Sequence, residues 1–515
     1  MPTPRFDPRA FVEGLRDDVG ESNVSTTRPD REAYSRDLWP RSLLDSLSGP
    51  APGPMAVVWP TDEVRVSAVV RRCASAGVPI VPFGAGSGVC GGALADPSGV
   101  VVDLKRLDRV LKVDLEARTV DVQAGINGEL FERRLERQGL TLGHFPSSIV
   151  CSTVGGWLAT RSAGQCSARY GKIEDMVLDL SVVTGDGVLR RTERAGSPGL
   201  DWNQLFVGSE GTLGLITRAT LALHPQPETR CFRGYLCRSV EDGLDLIRRV
   251  LQDGHRPAVL RLYDPLDTMM AGQKAAPGGE TSAHAGPLKA LLQGVSSPEG
   301  MGARALRAAL SVPQLTNALI ASLPRKSLLV TVTEGSAREA TLTDEAIARV
   351  AKDLQAQDLG EGPGRHWLAH RHDVSYKQSR LYRAGAFVDT FEVATTWARL
   401  PRLYEAVRGA LGLHTVVMAH FSHAYAAGCS IYFTFVGTGR DVPELRARYL
   451  AAWQAALDAA LLCEATLAHH HGVGLSRATH LQKAHGPAVA YFQALKRVLD
   501  PQGILNPGKI YGAAV

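Results

Sequence analysis

No stretch of this chain approaches twenty consecutive apolar residues, so none has the length of a membrane-spanning helix. Its eight cysteines are scattered, with no CxxC pair and no small-domain framework. That excludes a disulfide scaffold and fits free thiols in a reducing compartment. Lysine-rich blocks are missing. The 57 basic residues are spread along the chain against 52 acidic ones, for a net charge of +5. Nucleic acid is therefore not an expected partner, whereas anionic small substrates stay open. The opening MPTPRFDPRAFVEG has no basic-then-apolar signal pattern, and the closing YGAAV is not the peroxisomal address. The expectation is a cytoplasmic protein.

At 515 residues the chain is too long for one hydrophobic core, and two or three domains are expected. Hydrophobic content of 44% and charged content of 21% are ordinary for a soluble globular protein. Residues 1–50 read as a polar helical segment ending at the Pro/Gly break SGPAPGPM. MAVVW, from Met55, reads as a buried strand. Thr61 is the expected helix cap, with Asp62 and Glu63 in the first turn and Gly77 at the end. VPIVPF, VVVDL, VLKVD and TVDVQAG read as further strands. HPQPETR, from His224, marks a domain exit. Beyond it LCRSVEDGLDLIRRVLQ reads as helix, and AVLRLYD, SLLVTVTEG and CSIYFTFVG as strands. AAPGGETSAHAGP, at 275–287, reads as a flexible insertion. The tail is mostly helical and carries AHHHGVG. The expected divisions are 1–50, 51–228, 229–445 and 446–515.

Three glycine-rich loops stand out. The first is PFGAGSG, made of Pro82, Phe83, Gly84, Ala85, Gly86, Ser87 and Gly88. It follows a strand, and its glycines let backbone N–H groups approach a phosphate without Cβ clashes. No GK[ST] follows, so it is not a Walker loop. The second is STVGGWLATRSAG, from Ser152 to Gly164, and the third is GSEGTLGLIT, from Gly208 to Thr217. Turns explain any one of these loops. Three in one region point to a large ligand lying against backbone, and a dinucleotide fits better than a lone phosphate.

In order, PFGAGSG, PSSIVCSTVGGWLATRSAG, RYGKIEDMV and GSEGTLGLIT resemble the FAD-binding domain of the vanillyl-alcohol-oxidase/PCMH flavoprotein superfamily. The resemblance implies an α+β fold: a PCMH-type FAD-binding domain, then a cap or substrate domain with an antiparallel sheet and helices. It implies that the first loop cradles the pyrophosphate of FAD. Ser147, Ser148, Ile149, Val150, Cys151, Ser152 and Thr153 would line the rest, with Gly155, Gly156, Thr160, Arg161, Ser162 and Ala163. Glu210, Gly211, Thr212, Leu213, Gly214, Leu215 and Ile216 would complete the cradle. Ser87 stands where some members carry the histidine that bonds flavin covalently, so FAD is expected to be non-covalent. Cys151 stands where doubly linked members carry a cysteine.

Two branches of the superfamily resemble the second half. In the D-2-hydroxyacid dehydrogenases a metal is held by GHxGDGNxH and the acid of GEHG. Here His423 matches the first ligand, but Ser430 fills the second position and GEHG has become HHHG, so no metal is expected. The alkylglycerone-phosphate synthase branch matches at more points and covers nearly the whole chain. By that resemblance Arg261 in AVLRLYD, Arg399 in TFEVATTWARL, Tyr425 in HAYAAGCSIYFTF, and His469, His470 and His471 form the active site. It implies exchange of the acyl group of an acyl-dihydroxyacetone phosphate for a long-chain alcohol. Flavin N5 would attack C1 of the substrate, with no net oxidation. Arginines suit the phosphate, and a tyrosine or histidine suits proton transfer at C1. A lipid-like phosphate substrate, peripheral membrane contact and a homodimer agree with this branch. Dehydrogenation of a D-2-hydroxyacid is the alternative. GVG is followed here by Leu475, Ser476 and Arg477 rather than the branch's lysine, and Ala426 replaces an acidic residue.

Overall fold

Val66, Val69, Val70 and Cys73 recur at helical spacing and form one fully buried stripe on the helix Glu63–Ala76. Burying each such valine contributes about 1.5–3 kcal/mol. Asp62, not Thr61, is the cap: its extended backbone lets the carboxylate accept the Arg65 N–H at 2.8 Å. Gly77 ends the helix at φ +65°, where the absence of a Cβ removes the left-handed penalty. The stripe packs on strands Ala56–Val58, Val100–Asp103 and Ile80–Phe83, which run parallel and bury nearly every side chain.

The computed structural model describes residues 6–192, 198–272, 300–322, 324–373 and 379–512. The insertion expected at 275–287 lies outside the described residues. The chain divides into two units. The first comprises 1–163, 172–225 and 470–515. It holds the four-stranded sheet just described, whose outer strand is Val24–Ser25. A five-stranded antiparallel sheet follows in the order Val110–Asp114, Thr119–Gln123, Leu215–Ala222, Val177–Val183, Leu189–Arg191. The helical reading of the N-terminal stretch holds as helices Pro8–Val19, Arg28–Ala33 and Pro40–Ser46.

The second unit comprises 164–171 and 226–469. Its seven-stranded antiparallel sheet places Val259–Tyr263 beside Val416–Ala424, which pairs in turn with Gly428–Thr438. Ser327–Gly335 is buried at all nine positions, so this strand is covered on both faces. The expected helix at LCRSVEDGLDLIRRVLQ starts later than read. Leu236 and Cys237 finish the strand Thr229–Cys237, and Ser239 caps the helix Val240–Gln252 by accepting the Asp242 N–H. Among the described residues no helix is long and apolar enough to cross a membrane.

Candidate active site

In the first unit the loop after Ile80–Phe83 is shaped by close approach. A Cβ on Gly84 would sit 2.5 Å from Thr153 Oγ1, and one on Gly86, at φ +65°, only 2.4 Å from the Phe83 ring. The carbonyls of Gly86 and Gly88 both accept from the Leu38 N–H, at 3.1 and 2.9 Å. Among the described residues, none accepts from the N–H groups of Ala85, Gly86, Ser87 or Gly88. A run of donors left over by the described residues, half-buried at Ala85, Gly86 and Ser87 and exposed at Gly88, fits an anionic pyrophosphate.

The second loop is locked from behind. Asn127 Nδ2 donates to Val150 O at 3.0 Å, and Trp157 Nε1 donates to Ser152 Oγ at 2.7 Å. Thr153 caps the helix Val154–Thr160, and a Cβ on Gly155 would meet Ala124 at 2.9 Å. Arg161 closes that helix in the left-handed region, while Ser162 and Ala163 are buried behind it. Ser147, Ser148 and Ile149 lead into the short turn Ile149–Cys151, and the Cys151 thiol is exposed. In the third loop Gly211 takes φ +74°, and Thr212 Oγ1 donates to Ser209 O. Leu213, Leu215 and Ile216 are buried, and Gly214 leaves room for Val182.

Glu210 does more than line a loop. At φ +48° its carboxylate is buried and accepts the N–H groups of Val473 at 2.6 Å and Gly474 at 2.9 Å. Burial pushes its pKa up to about 7, against the pull of those two N–H groups. The glycines after the triple histidine are therefore structural. A Cβ on Gly472 would meet Glu210 Oε1 at 3.0 Å, and one on Gly474 would meet Cys90 O at 2.2 Å. Arg477, fully buried, donates to Gly472 O, and Asn506 Nδ2 donates to Glu210 O. The sequence had offered Glu210 only as a cofactor residue and gave Arg477 and Asn506 no role. His470 and His471, edge to face at 4.5 Å, open this docked segment.

His144, just before the second loop, escaped the sequence reading. It is fully buried against Trp157, with ring centroids 4.7 Å apart, and among the described residues neither ring nitrogen has a partner. Burial, aided by the Lys172 charge, lowers its pKa to about 3. The folded state thus refuses a proton that the unfolded chain accepts below about 6.5. Stability from the neutral ring is complete above that pH and is lost as pH falls toward 3. At pH 5 the loss is about 2 kcal/mol. The unfolding midpoint of His144→Leu should fall less between pH 7.5 and pH 5 than that of the unaltered protein. Parallel midpoints in denaturant titrations at the two pH values would contradict this.

In the second unit Tyr425 sits at the end of a tight hairpin, where it and Gly428 exchange backbone hydrogen bonds. Trp397 Nε1 holds the turn by donating to Tyr425 O and Ala426 O at 3.1 and 3.0 Å. The Tyr425 hydroxyl donates to Ser167 Oγ at 3.4 Å, and Ser167 Oγ lies 2.9 Å from His423 Nδ1. The His469 ring stacks 5.5 Å from His423 and lies 5.7 Å from Tyr425. Its backbone N–H donates to both oxygens of the fully buried Glu392.

Arg261 points its Nη2 at His420 Nε2, 2.8 Å away, and lies 5.2 Å over the Tyr263 ring. His420 is stacked on Tyr432, and its Nδ1 faces Asp267 at 3.5 Å. Burial and the Arg261 charge keep this imidazole neutral, its pKa well below the usual value. Asp264 is not the partner of Arg261: Arg408 takes its carboxylate at 2.6 Å, and the Ala419 N–H donates to it at 3.0 Å. Arg261 Nε is buried and has no hydrogen-bond partner among the described residues. Tyr425, His423 and His469 are thus brought together, with Arg261 on a neighbouring strand. Arg399 is not among them, since its guanidinium pairs with Glu464 at 2.7 Å with both side chains exposed. Ser430, where the dehydrogenase branch carries a ligand, is buried, and its hydroxyl has no hydrogen-bond partner among the described residues.

The chain is similar to known proteins over both units. Residues 54–193 match the family described as FAD binding domain, and 226–510 match FAD linked oxidases, C-terminal domain. Alkyldihydroxyacetonephosphate synthase of Trypanosoma brucei brucei is 28% identical over 520 residues, covering 97% of this chain and 80% of that protein. Glycolate oxidase subunit GlcD of Bacillus subtilis strain 168 is 27% identical over 503 residues, covering 96% and 94%. A solved alkyldihydroxyacetonephosphate synthase superposes with a TM-score of 0.75 at 25% identity, over 98% of this chain and 86% of that one. The mixed α+β architecture, the cradle of unclaimed N–H groups and a match that spans more than half the chain lead to one statement: this chain belongs to the FAD-linked oxidases of the vanillyl-alcohol-oxidase/PCMH superfamily and is an FAD-dependent enzyme.

Proposed function

We propose that the enzyme exchanges the acyl group of an acyl-dihydroxyacetone phosphate for a long-chain alcohol, in the manner of an alkylglycerone-phosphate synthase. The observation that carries this reading is the second-unit cluster: a tyrosine hydroxyl linked through Ser167 to a histidine, and on a neighbouring strand an arginine whose Nε has no partner among the described residues. When bound, FAD supplies an electron-pair sink at the substrate's C1, so no net oxidation is needed. Arg261 meets the phosphate with its charge and its Nε–H, while neutral His420 holds Nη2. Tyr425 moves the proton at C1, and His423 and His469 hold its phenol in place. The relatives named for this synthase support the choice of substrate. FAD is held without a covalent bond, since Ser87 offers no imidazole.

The similarity to a glycolate oxidase subunit, at nearly the same identity, favours a second reading. There Arg261 would bind a carboxylate and Tyr425 would take the hydroxyl proton of a D-2-hydroxyacid. An exchange assay separates the two. Purified enzyme is given palmitoyl-dihydroxyacetone phosphate and labelled hexadecanol under argon. Ether-linked phosphate and free palmitate should form one for one with no electron acceptor added. Inertness toward this pair, together with acceptor-dependent oxidation of D-lactate or glycolate, would refute the exchange reading.

A further inference from the structure

We propose that Ser167 is a positioning residue: its hydroxyl holds His423 with the ring proton on Nε2 and links that ring to the Tyr425 phenol. The importance of Tyr425 is taken from the exchange reading; the hydrogen-bond chain itself is independent of it. Ser167 lies on a short strap, residues 164–171, that belongs to the second unit although the residues on both sides of it belong to the first. Three side chains tie the strap down. Gln165 Nε2 donates to Arg371 O at 3.2 Å, and Arg169 grips both oxygens of Glu339 at 2.9 and 3.1 Å. The Tyr170 hydroxyl donates to Glu334 at 2.6 Å, a carboxylate that also accepts from Arg230. Between these ties stands Ser167, 2% exposed, its hydroxyl spent not locally but on a histidine 256 residues away.

Under this proposal the direction of the bonds is assigned from what each group can give. A hydroxyl has one proton to donate and lone pairs to accept with. The Tyr425 phenol donates to Ser167 Oγ, so the serine proton is available for His423 Nδ1. Nδ1 then accepts, and the neutral ring carries its proton on Nε2. The chain also balances as a proton path. As Tyr425 releases its proton to Ser167 Oγ, the proton of Ser167 passes to Nδ1, leaving a tyrosinate and an imidazolium with no change in total charge. The reverse passage restores the phenol. The 3.4 Å link is long for an O–H···O bond, and such links tighten when substrate fills a site.

The test uses the flavin-loaded enzyme labelled with 15N-histidine, with His423→Gln identifying the His423 signals. Nitrogen chemical shifts should show an Nε2–H tautomer in the unaltered enzyme, loss of that single tautomer in Ser167→Ala, and its return in Ser167→Thr. With exchange substrates, kcat of Ser167→Ala should fall on the order of tenfold to a hundredfold with little change in KM, and Thr should recover most of it. His423 signals indifferent to Ser167→Ala would overturn the proposal whatever the substrate. A tautomer that follows Ser167 in an enzyme inert toward acyl-dihydroxyacetone phosphate would uphold the positioning role and refute the exchange reading instead.

Discussion

Tyr425→Phe should slow acyl–alcohol exchange by a factor on the order of 10²–10⁴ while leaving flavin content and unfolding midpoint nearly unchanged. The substitution removes one oxygen at the end of a hairpin whose turn is held by backbone bonds and Trp397, so the fold loses little. What it loses is the hydroxyl that donates to Ser167 and through it reaches His423. The ring itself remains to pack near His469. Steady-state rates beside the flavin-to-protein absorbance ratio read both quantities. A variant that keeps its flavin and retains more than about half the activity would remove Tyr425 from the proton transfer, since general acid–base groups are worth far more.

Gly86→Val should yield protein that folds but is purified with little flavin. Two effects act together. Gly86 sits at φ +65°, where a β-branched residue is strained by about 1–3 kcal/mol. A Cβ there would also overlap the ring of Phe83, which is buried in a small cluster with Val57, Val81 and Val101 and cannot simply turn away. The loop must move, and the N–H groups of residues 85–88 move with it. Strain alone corresponds to FAD affinity weakened by roughly tenfold to a hundredfold. Titration of the apo-protein with FAD, followed by flavin fluorescence, measures it. Unchanged affinity would mean that this loop does not hold the pyrophosphate.

The glycines of the candidate cofactor loops were legible in the sequence because glycine there is forced. Gly84, Gly86 and Gly155 each face atoms closer than any Cβ tolerates, and such positions leave a compositional trace. Strands of the seven-stranded sheet were legible as apolar runs for a similar reason: burial on two faces leaves no polar alternation. Boundaries were less so. Thr61 and Asp62 are both good caps, and only backbone geometry gives the role to Asp62.

Parts of the site were hidden because their meaning is tertiary. Ser167 stands in an unremarkable stretch, GQCSARYG, and its contact with His423, 256 residues away, is visible only in the fold. His420 looks like one more residue of an apolar strand until it is found holding Arg261. Glu210 was legible as part of a cofactor loop, but not as the acceptor for two N–H groups 263 and 264 residues further on. Arg399 was singled out by its motif rather than by a placement the sequence could show. Its motif drew attention, yet in the fold its charge is met by exposed Glu464.

The most direct measurement is the flavin absorbance of the purified enzyme under strict exclusion of oxygen. An acyl-dihydroxyacetone phosphate should bleach the band near 450 nm (about the usual position for oxidised flavin), because FAD is the electron-pair sink of the proposed exchange. Adding a long-chain alcohol, and nothing else, should bring the colour back. Bleaching by D-lactate or glycolate instead, reversed only by an added electron acceptor, would contradict the exchange and leave a dehydrogenase in its place.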